Sequence, residues 1–365
     1  MKTPLLCALL FLATSAAYAE TTVVRVSDPP KDLRPLPTAF HGRAVKDANS
    51  WKYQWPGTYA EVKFNGTELF FTAGPEPAIL QLSIVGEPVF QLVGLQSGVY
   101  RVAGLAPGDH VVRMTSVSEN QKQAITFGGF SARSSTKPLS LAPSKRQIEF
   151  IGDSHTVGYG NISSTRECTE DKVWATTDTS QAFGPVIARH YDADYQVNAI
   201  SGRGIVRNYG GFQADPLPVA YPYVLFDKAA LYHEPQWKPQ VIVIALGTND
   251  FSTALKDGER WKSRDALHAD YEATYLKFLR SLRKRNPQAL IILWATDMAD
   301  GEIETEVNKV ADQFVAAGDK QTLFLPVNGL TFSACNWHPS TKDDETIANA
   351  LIGLIDQRVP AWHRR

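Results

Sequence analysis

Between residues 20 and 145, apolar and polar positions alternate in short runs broken by turn residues. In GTYAEVKFNGTELFFTAG the period is two on either side of Asn65-Gly66, a pair that favours a tight hairpin turn. AILQLSIVG, PVFQLVG, GVYRVAGL and DHVVRMTSVSE continue the pattern with turn residues between them. Many short strands without a helical period predict an antiparallel sandwich or jelly roll over residues 20–140. ARSSTKPLSLAPSKR is rich in Ser and Pro and reads as a junction.

From Gln147 the period changes. QIEFIG, DYQVNAI, QVIVIALG, ALIILWA and TLFLPV read as strands, and the nearly unbroken apolar run of QVIVIALG suits a strand buried on both faces. Helical patterns fall between them, over residues 180–190, 263–285 and 302–317. A last helix over 340–358 has Ser340 or Thr341 as its N-cap. In the 263–285 segment, Leu267, Tyr271, Tyr275, Phe278 and Leu282 form one stripe. Strand and helix in alternation predict a doubly wound, flavodoxin-like parallel sheet flanked by helices over residues 145–365. The expected fold is therefore two domains, an all-β jelly-roll sandwich followed by this α/β unit.

In such sheets the loops leaving the strands gather on one edge, where sites form. Ser154 follows the first strand within Gly152-Asp153-Ser154, and Gly202 follows the second within Ser201-Gly202-Arg203-Gly204. Asn249 follows the third within Gly247-Thr248-Asn249-Asp250, and His338 follows the fifth within Asn336-Trp337-His338-Pro339. Each has a bland alternative: a cap or turn serine, a turn glycine, an Asx-turn asparagine, a surface histidine. Together they suit acyl transfer. Serine needs a positioned base, which His338 supplies. The N–H groups of Ser154 and Gly202, with the Asn249 amide, would stabilise the oxyanion. Asp153 and Asp250 are expected to organise the loops, and His155 to be a modulator at most. The usual G-x-S-x-G serine elbow is absent, since this stretch reads G-D-S-H-T.

The blocks G-D-S-x-T, S-G-x-G, G-T-N-D and x-W-H-P resemble those of the SGNH (GDSL) hydrolase superfamily. An all-β N-terminal region, G-Y-G-N directly after the first block and the final W-H-P make the chain similar to the acetyl esterases of carbohydrate esterase family 2, which include acetyl xylan esterases. That resemblance implies a jelly roll joined to an SGNH domain. It also implies removal of O-acetyl groups from plant cell-wall sugars, with preference for the 6-position of hexopyranosyl residues. One departure bears on mechanism. Most superfamily members carry Asp three residues before the catalytic His, and here that position is Cys335. The resemblance offers a precedent in Ser-His dyads whose imidazole is fixed by a backbone carbonyl, and a dyad is predicted here. Trp337 and Tyr159 are candidate sugar-stacking residues, with core packing as the alternative, and Trp294 and Asp297 are expected to line the cleft. Two other readings stay open: a lipase or thioesterase with a different acyl group, and a non-catalytic carbohydrate-binding protein.

Composition adds the compartment and a covalent link. MKTPLLCALLFLATSAAYA has a lone Lys2, an apolar run too short to span a bilayer and an Ala-Tyr-Ala end, which reads as a signal peptide over residues 1–19. The protein is then secreted or periplasmic. Cys7 leaves with that segment, and Cys168 and Cys335 remain. In an exported chain two remaining cysteines commonly pair, and the alternative is two free thiols. A bond between them would hold the His338 loop. With 44% hydrophobic and 21% charged residues the chain can bury a sizeable core, and a net charge of −1 gives no case for a nucleic-acid or anionic-membrane partner. No metal or nucleotide motif is recognisable, so no cofactor is expected. The expected partner is an acetylated carbohydrate, and a monomer is the default assembly.

Overall fold

The computed structural model describes residues 20–75 and 77–362, so the predicted signal peptide lies outside the described residues. The C-terminal half is a five-stranded parallel sheet. Its strands in chain order are Gln147–Gly152, Asp194–Ala199, Val241–Ala245, Leu290–Ala295 and Thr322–Pro326. Their order in space is second, first, third, fourth, fifth, the flavodoxin-like arrangement. Gly152 lies beside both Ala199 and Ala245, so three strands end at one level.

Both faces of this sheet are covered. Ile151, Ile242, Ile244 and Leu293 pack on one side with Leu267, Tyr271 and Tyr275 of the helix Arg264–Arg285. Ile148, Phe150, Val241 and Val243 pack on the other, against Phe183–Tyr191 and Thr341–Arg358. The last helix starts with Ser340, whose Oγ accepts from the Asp343 N–H while the Asp343 carboxylate accepts from the Ser340 N–H. That box fixes where the chain turns just after His338.

In the N-terminal half, eleven strands pair antiparallel among the described residues. The hairpin expected at Asn65-Gly66 does not form. Tyr59–Ala73 is one strand of 15 residues and Gly98–Ser116 one of 19, so the two runs on either side of the expected turn, and those around Pro107, are continuous. The two strands pair from Tyr59 opposite Thr115 to Ala73 opposite Gly98. Their register slips between Gly66 and Glu68, where Thr67 alone faces residues 104–107, and Gly104 takes a φ of +89° in that bulge. The Asn65 amide binds the Asp109 carboxylate across the pair at 2.8 Å rather than closing a turn. Pairing along the full length buries Phe64, Leu69, Phe71, Val102 and Val112 in one core, a gain that a local turn would forgo.

The two halves share buried surface. Trp55 joins one core of the parallel sheet and Tyr59 the other. Between them lies Gly57 (φ +66°), where a Cβ would meet Thr179 and Val197 at 3.0 and 3.1 Å. Arg43, 1% exposed, enters the C-terminal half and donates to the Tyr221 and Tyr223 carbonyls. Its guanidinium lies over the rings of Tyr221 and Tyr232 and 3.4 Å from Glu149, which stands within the first parallel strand. Glu149 also accepts from the Tyr221 hydroxyl and the Asn198 amide, each at 2.6 Å. Removing one member of a buried pair leaves the other charge uncompensated. Arg43→Met is therefore expected to lower stability by about 3 kcal/mol, read as the midpoint of urea unfolding. A loss below about 1 kcal/mol would mean that the pair contributes no more than an exposed one.

Candidate active site

Ser154 opens the short helix Ser154–Val157 directly beyond the first parallel strand. Asp153 is the N-cap, its Oδ1 accepting from the His155 N–H at 3.1 Å. Gly158 ends the turn at φ +78°. Gly160 (φ +59°) lies so close to Cys335 that a Cβ there would stand 2.4 Å from the cysteine Cβ. Asn161 donates to Asp344 of the last helix, and its carbonyl accepts from the Thr341 N–H. G-Y-G-N therefore docks the serine elbow against the His338 segment.

The second and third loops are tied to the first by carboxylates. Asn249 donates from Nδ2 to Asp153 Oδ2 and to the Arg203 carbonyl, both at 3.0 Å. Asp250 accepts from the N–H groups of Ile205, Val206 and Arg207, each at 2.9 Å. Burial pushes the Asp153 carboxyl up to about 7, with Asp250 adding to the shift and the His155 N–H and Asn249 amide opposing it. Burial likewise raises Asp250 to about 6 against its three N–H donors. The Ser154 and Gly202 N–H groups have no hydrogen-bond acceptor among the described residues. Both hydrogens of the Asn249 amide are engaged.

His338 Nε2 lies 2.9 Å from Ser154 Oγ. Its Nδ1 faces two carbonyls, Cys335 at 2.9 Å and Asn336 at 3.1 Å. A carbonyl only accepts, so Nδ1 carries the hydrogen and Nε2 presents its lone pair to the serine hydroxyl. Asn336 (φ +52°) and Trp337 (φ +60°) are both left-handed, a conformation that costs roughly 1–2 kcal/mol per residue. That bend brings both carbonyls onto one ring nitrogen. Burial lowers the His338 imidazolium to about 4, opposed by the two carbonyls. Burial, with His338 adding, lowers the neighbouring His155 to about 3.

The bend is held from outside. Cys168 and Cys335 form a disulfide. The Arg166 carbonyl accepts from the Asn336 N–H at 2.7 Å, while its guanidinium donates to the Phe332 and Thr331 carbonyls, each at 2.8 Å.

Comparisons with known proteins give the family. Residues 40–142 match the carbohydrate esterase 2 N-terminal family and residues 150–348 the GDSL-like lipase/acylhydrolase family. The chain is 47% identical over 336 residues to an acetylxylan esterase / glucomannan deacetylase of Cellvibrio japonicus, spanning 90% of this chain and 93% of that protein. It is 29% identical over 334 residues to the cellulase/esterase CelE of Acetivibrio thermocellus, 88% of this chain but 39% of that protein. A solved carbohydrate esterase, described as having divergent catalytic and non-catalytic binding functions in its active site, matches with a TM-score of 0.86 at 45% identity, covering 90% of this chain and all of that one. A family two carbohydrate esterase from Clostridium thermocellum in complex with cellohexaose matches at 0.78 and 28% identity, covering 89% and 100%. The chain belongs to carbohydrate esterase family 2. It is a carboxylic ester hydrolase with a GDSL-type domain.

The remaining predicted residues of this family 2 esterase divide. Tyr159 lies beside His338, ring centroids 4.2 Å apart, and its hydroxyl accepts from the Asn336 amide at 3.2 Å. Trp337 is 61% exposed, with the Arg166 guanidinium 3.9 Å over its ring. Trp294 borders only a small space that it shares with His155 and Thr248. It is 2% exposed and packs edge-on against Phe183 in the core, because its place in the fourth strand points it between sheet and helix. Asp297 is exposed, and its carbonyl accepts from Gly301 in the turn after that strand. Arg166 was not singled out from sequence, since nothing near it marks it as a partner of a loop 165 residues away.

If the disulfide and Arg166 hold the His338 loop in the bend the esterase needs, Cys168→Ser should lower stability by about 2–4 kcal/mol and reduce kcat several-fold with little change in KM. Wild-type esterase reduced until both thiols titrate should behave alike. Unchanged kcat in both would show that the loop holds its bend without the bond.

Proposed function

We propose that this esterase removes O-acetyl groups from plant cell-wall polysaccharides or oligosaccharides, at the 6-position of hexopyranosyl units, through an acetyl-enzyme on Ser154. The observation that carries the reading is the 2.9 Å contact from Ser154 Oγ to a His338 whose other nitrogen is fixed by carbonyls. The named activity of the Cellvibrio japonicus relative supports acetyl as the acyl group and xylan or glucomannan as the carrier.

The chemistry follows from the tautomer. His338 Nε2 takes the hydroxyl proton as Ser154 Oγ attacks the acetyl carbonyl. The carbonyl electrons move onto oxygen, which the free N–H groups of Ser154 and Gly202 meet. Asn249 joins them by exchanging its bond to the Arg203 carbonyl for one to the oxyanion, since a donor binds an anionic acceptor more strongly than a neutral one. Collapse breaks the bond to the sugar oxygen, and His338 returns the proton to that oxygen. Water repeats the sequence on the acetyl-enzyme and releases acetate. Asp153 and Asp250 hold the loops and take no proton from substrate. The exposed face of Trp337 and the ring of Tyr159 supply apolar surface for a pyranose. The polypeptide is exported, with residues 1–19 as its signal peptide, residues 20–140 as the β-domain and 145–365 as the catalytic domain. It works as a monomer without a cofactor.

Ser154→Ala and His338→Ala should each lower acetate release by roughly four to six orders of magnitude, assayed on 2-, 3- and 6-O-acetyl sugars. Wild-type-like turnover by Ser154→Ala would sink the reading. A preference for acyl chains beyond butyrate would remove the acetyl assignment.

The pH profile gives an independent check. His338 must be neutral to accept the serine proton. Burial disfavours the imidazolium, so the neutral form persists below the ordinary histidine value of 6.5. Accordingly kcat/KM should hold as pH falls through 6.5 and decline only on approach to about 4. An acid limb centred at or above 6.5 would contradict a neutral, carbonyl-fixed ring.

A further inference from the structure

The loop after the second strand has one feature that its own domain does not explain. Along residues 200–204 nearly every backbone N–H is engaged. Ile200 donates to the Gly152 carbonyl, Arg203 to the Ile200 carbonyl and Gly204 to the Asn208 side chain. Ser201 donates to Glu119 Oε1 at 2.8 Å. The Gly202 N–H alone meets no acceptor among the described residues. Glu119 belongs to the β-domain, in the connection after the strand Gly98–Ser116. Two residues on, Gln121 donates from Nε2 to the Ser201 carbonyl at 3.0 Å and also to Glu119 Oε1 at 3.1 Å.

The Ser201 carbonyl and the Gly202 N–H belong to one peptide unit. That unit is planar and trans, so its C=O and N–H point in opposite directions. Holding the carbonyl toward Gln121 therefore aims the Gly202 N–H the other way, away from the β-domain and free of any acceptor. Gly202 has a φ of +80°, a region where glycine turns either way at little cost, so its own backbone does not lock the orientation. A peptide whose oxygen already accepts a hydrogen bond is also the stronger donor.

We infer that Gln121 and Glu119, carried by the β-domain, are positioning residues for the oxyanion hole, clamping the Ser201-Gly202 peptide so that its N–H is presented to the developing charge. This rests on the serine mechanism proposed above and deepens it, because one of the three oxyanion donors is then set by the other domain. Glu119 acts through the Ser201 N–H and through the Gln121 amide, and it is itself tucked against the loop, where burial raises its carboxyl above the usual range. The connection is braced in turn by Gln54, whose amide donates to the Asn120 and Gln121 carbonyls.

Gln121→Met removes the donor while keeping the length of the side chain, and Glu119→Leu removes the acceptor. With 4-nitrophenyl acetate, each should lower kcat by about tenfold while KM stays within about twofold. Affinity for methaneboronic acid, which forms a tetrahedral adduct on a serine, should weaken by the same factor, whereas inhibition by acetate should not. Glu119→Gln keeps an acceptor oxygen and should recover most of what Glu119→Leu loses. If Glu119→Leu does not fold, Gln121→Met carries the test. Wild-type kcat and boronate affinity in folded Gln121→Met would overturn the inference, provided Ser154→Ala is inactive. An active Ser154→Ala would instead overturn the serine mechanism on which it rests.

Discussion

Two buried carboxylates, Asp153 and Asp250, hold together the loops beyond the first three parallel strands. A parallel sheet brings strand ends to one level, but it does not fix the loops beyond them. Asp153 fixes the first loop through the His155 N–H and joins it to the third through the Asn249 amide. Asp250 takes three consecutive N–H groups from the end of the second loop. Each acid replaces water for donors that would otherwise be buried without partners, and each is desolvated enough for its carboxyl to rise. With these bonds in place, the Ser154 and Gly202 N–H groups have no acceptor among the described residues.

The histidine loop solves a different problem. Without an aspartate at position 335, nothing anionic in its own loop orients the ring. Two left-handed residues in succession turn the Cys335 and Asn336 carbonyls onto Nδ1, and the cost of that bend is offset by the disulfide, the Arg166 contacts and the capped helix that follows. A carbonyl fixes the tautomer as well as a carboxylate does, but it stabilises the imidazolium less. The imidazole is correspondingly less basic, and it stays neutral in more acidic surroundings.

What sequence could reveal tracks the range of the forces involved. The five parallel strands were legible because a strand buried on both faces must be an apolar run, and they put the loops that carry Ser154, Gly202, Asn249 and His338 on one edge. The Asn65-Gly66 hairpin misled because a strong local turn signal lost to pairing between two whole strands, which buries far more apolar surface than one turn secures. Trp294 is buried because the end of a strand has an inward and an outward side, and one position decides which. The second engagement of Asn249, the Arg166 brace and the Glu119 and Gln121 contacts join segments far apart in the chain, and no local pattern marks them.

The relation between the halves follows from the same contacts. A binding module on a linker would leave each domain with its own closed core. Here Trp55 and Tyr59 of the β-domain complete the two cores that flank the parallel sheet, and Arg43 is matched to a glutamate inside the first strand. That strand leads to Ser154 and its neighbour to Gly202, so the β-domain grips the sheet directly behind both loops. Glu119 and Gln121 carry the grip one step further, from the sheet to the loop. The all-β half is thus part of the scaffold that carries the Ser154 and Gly202 loops.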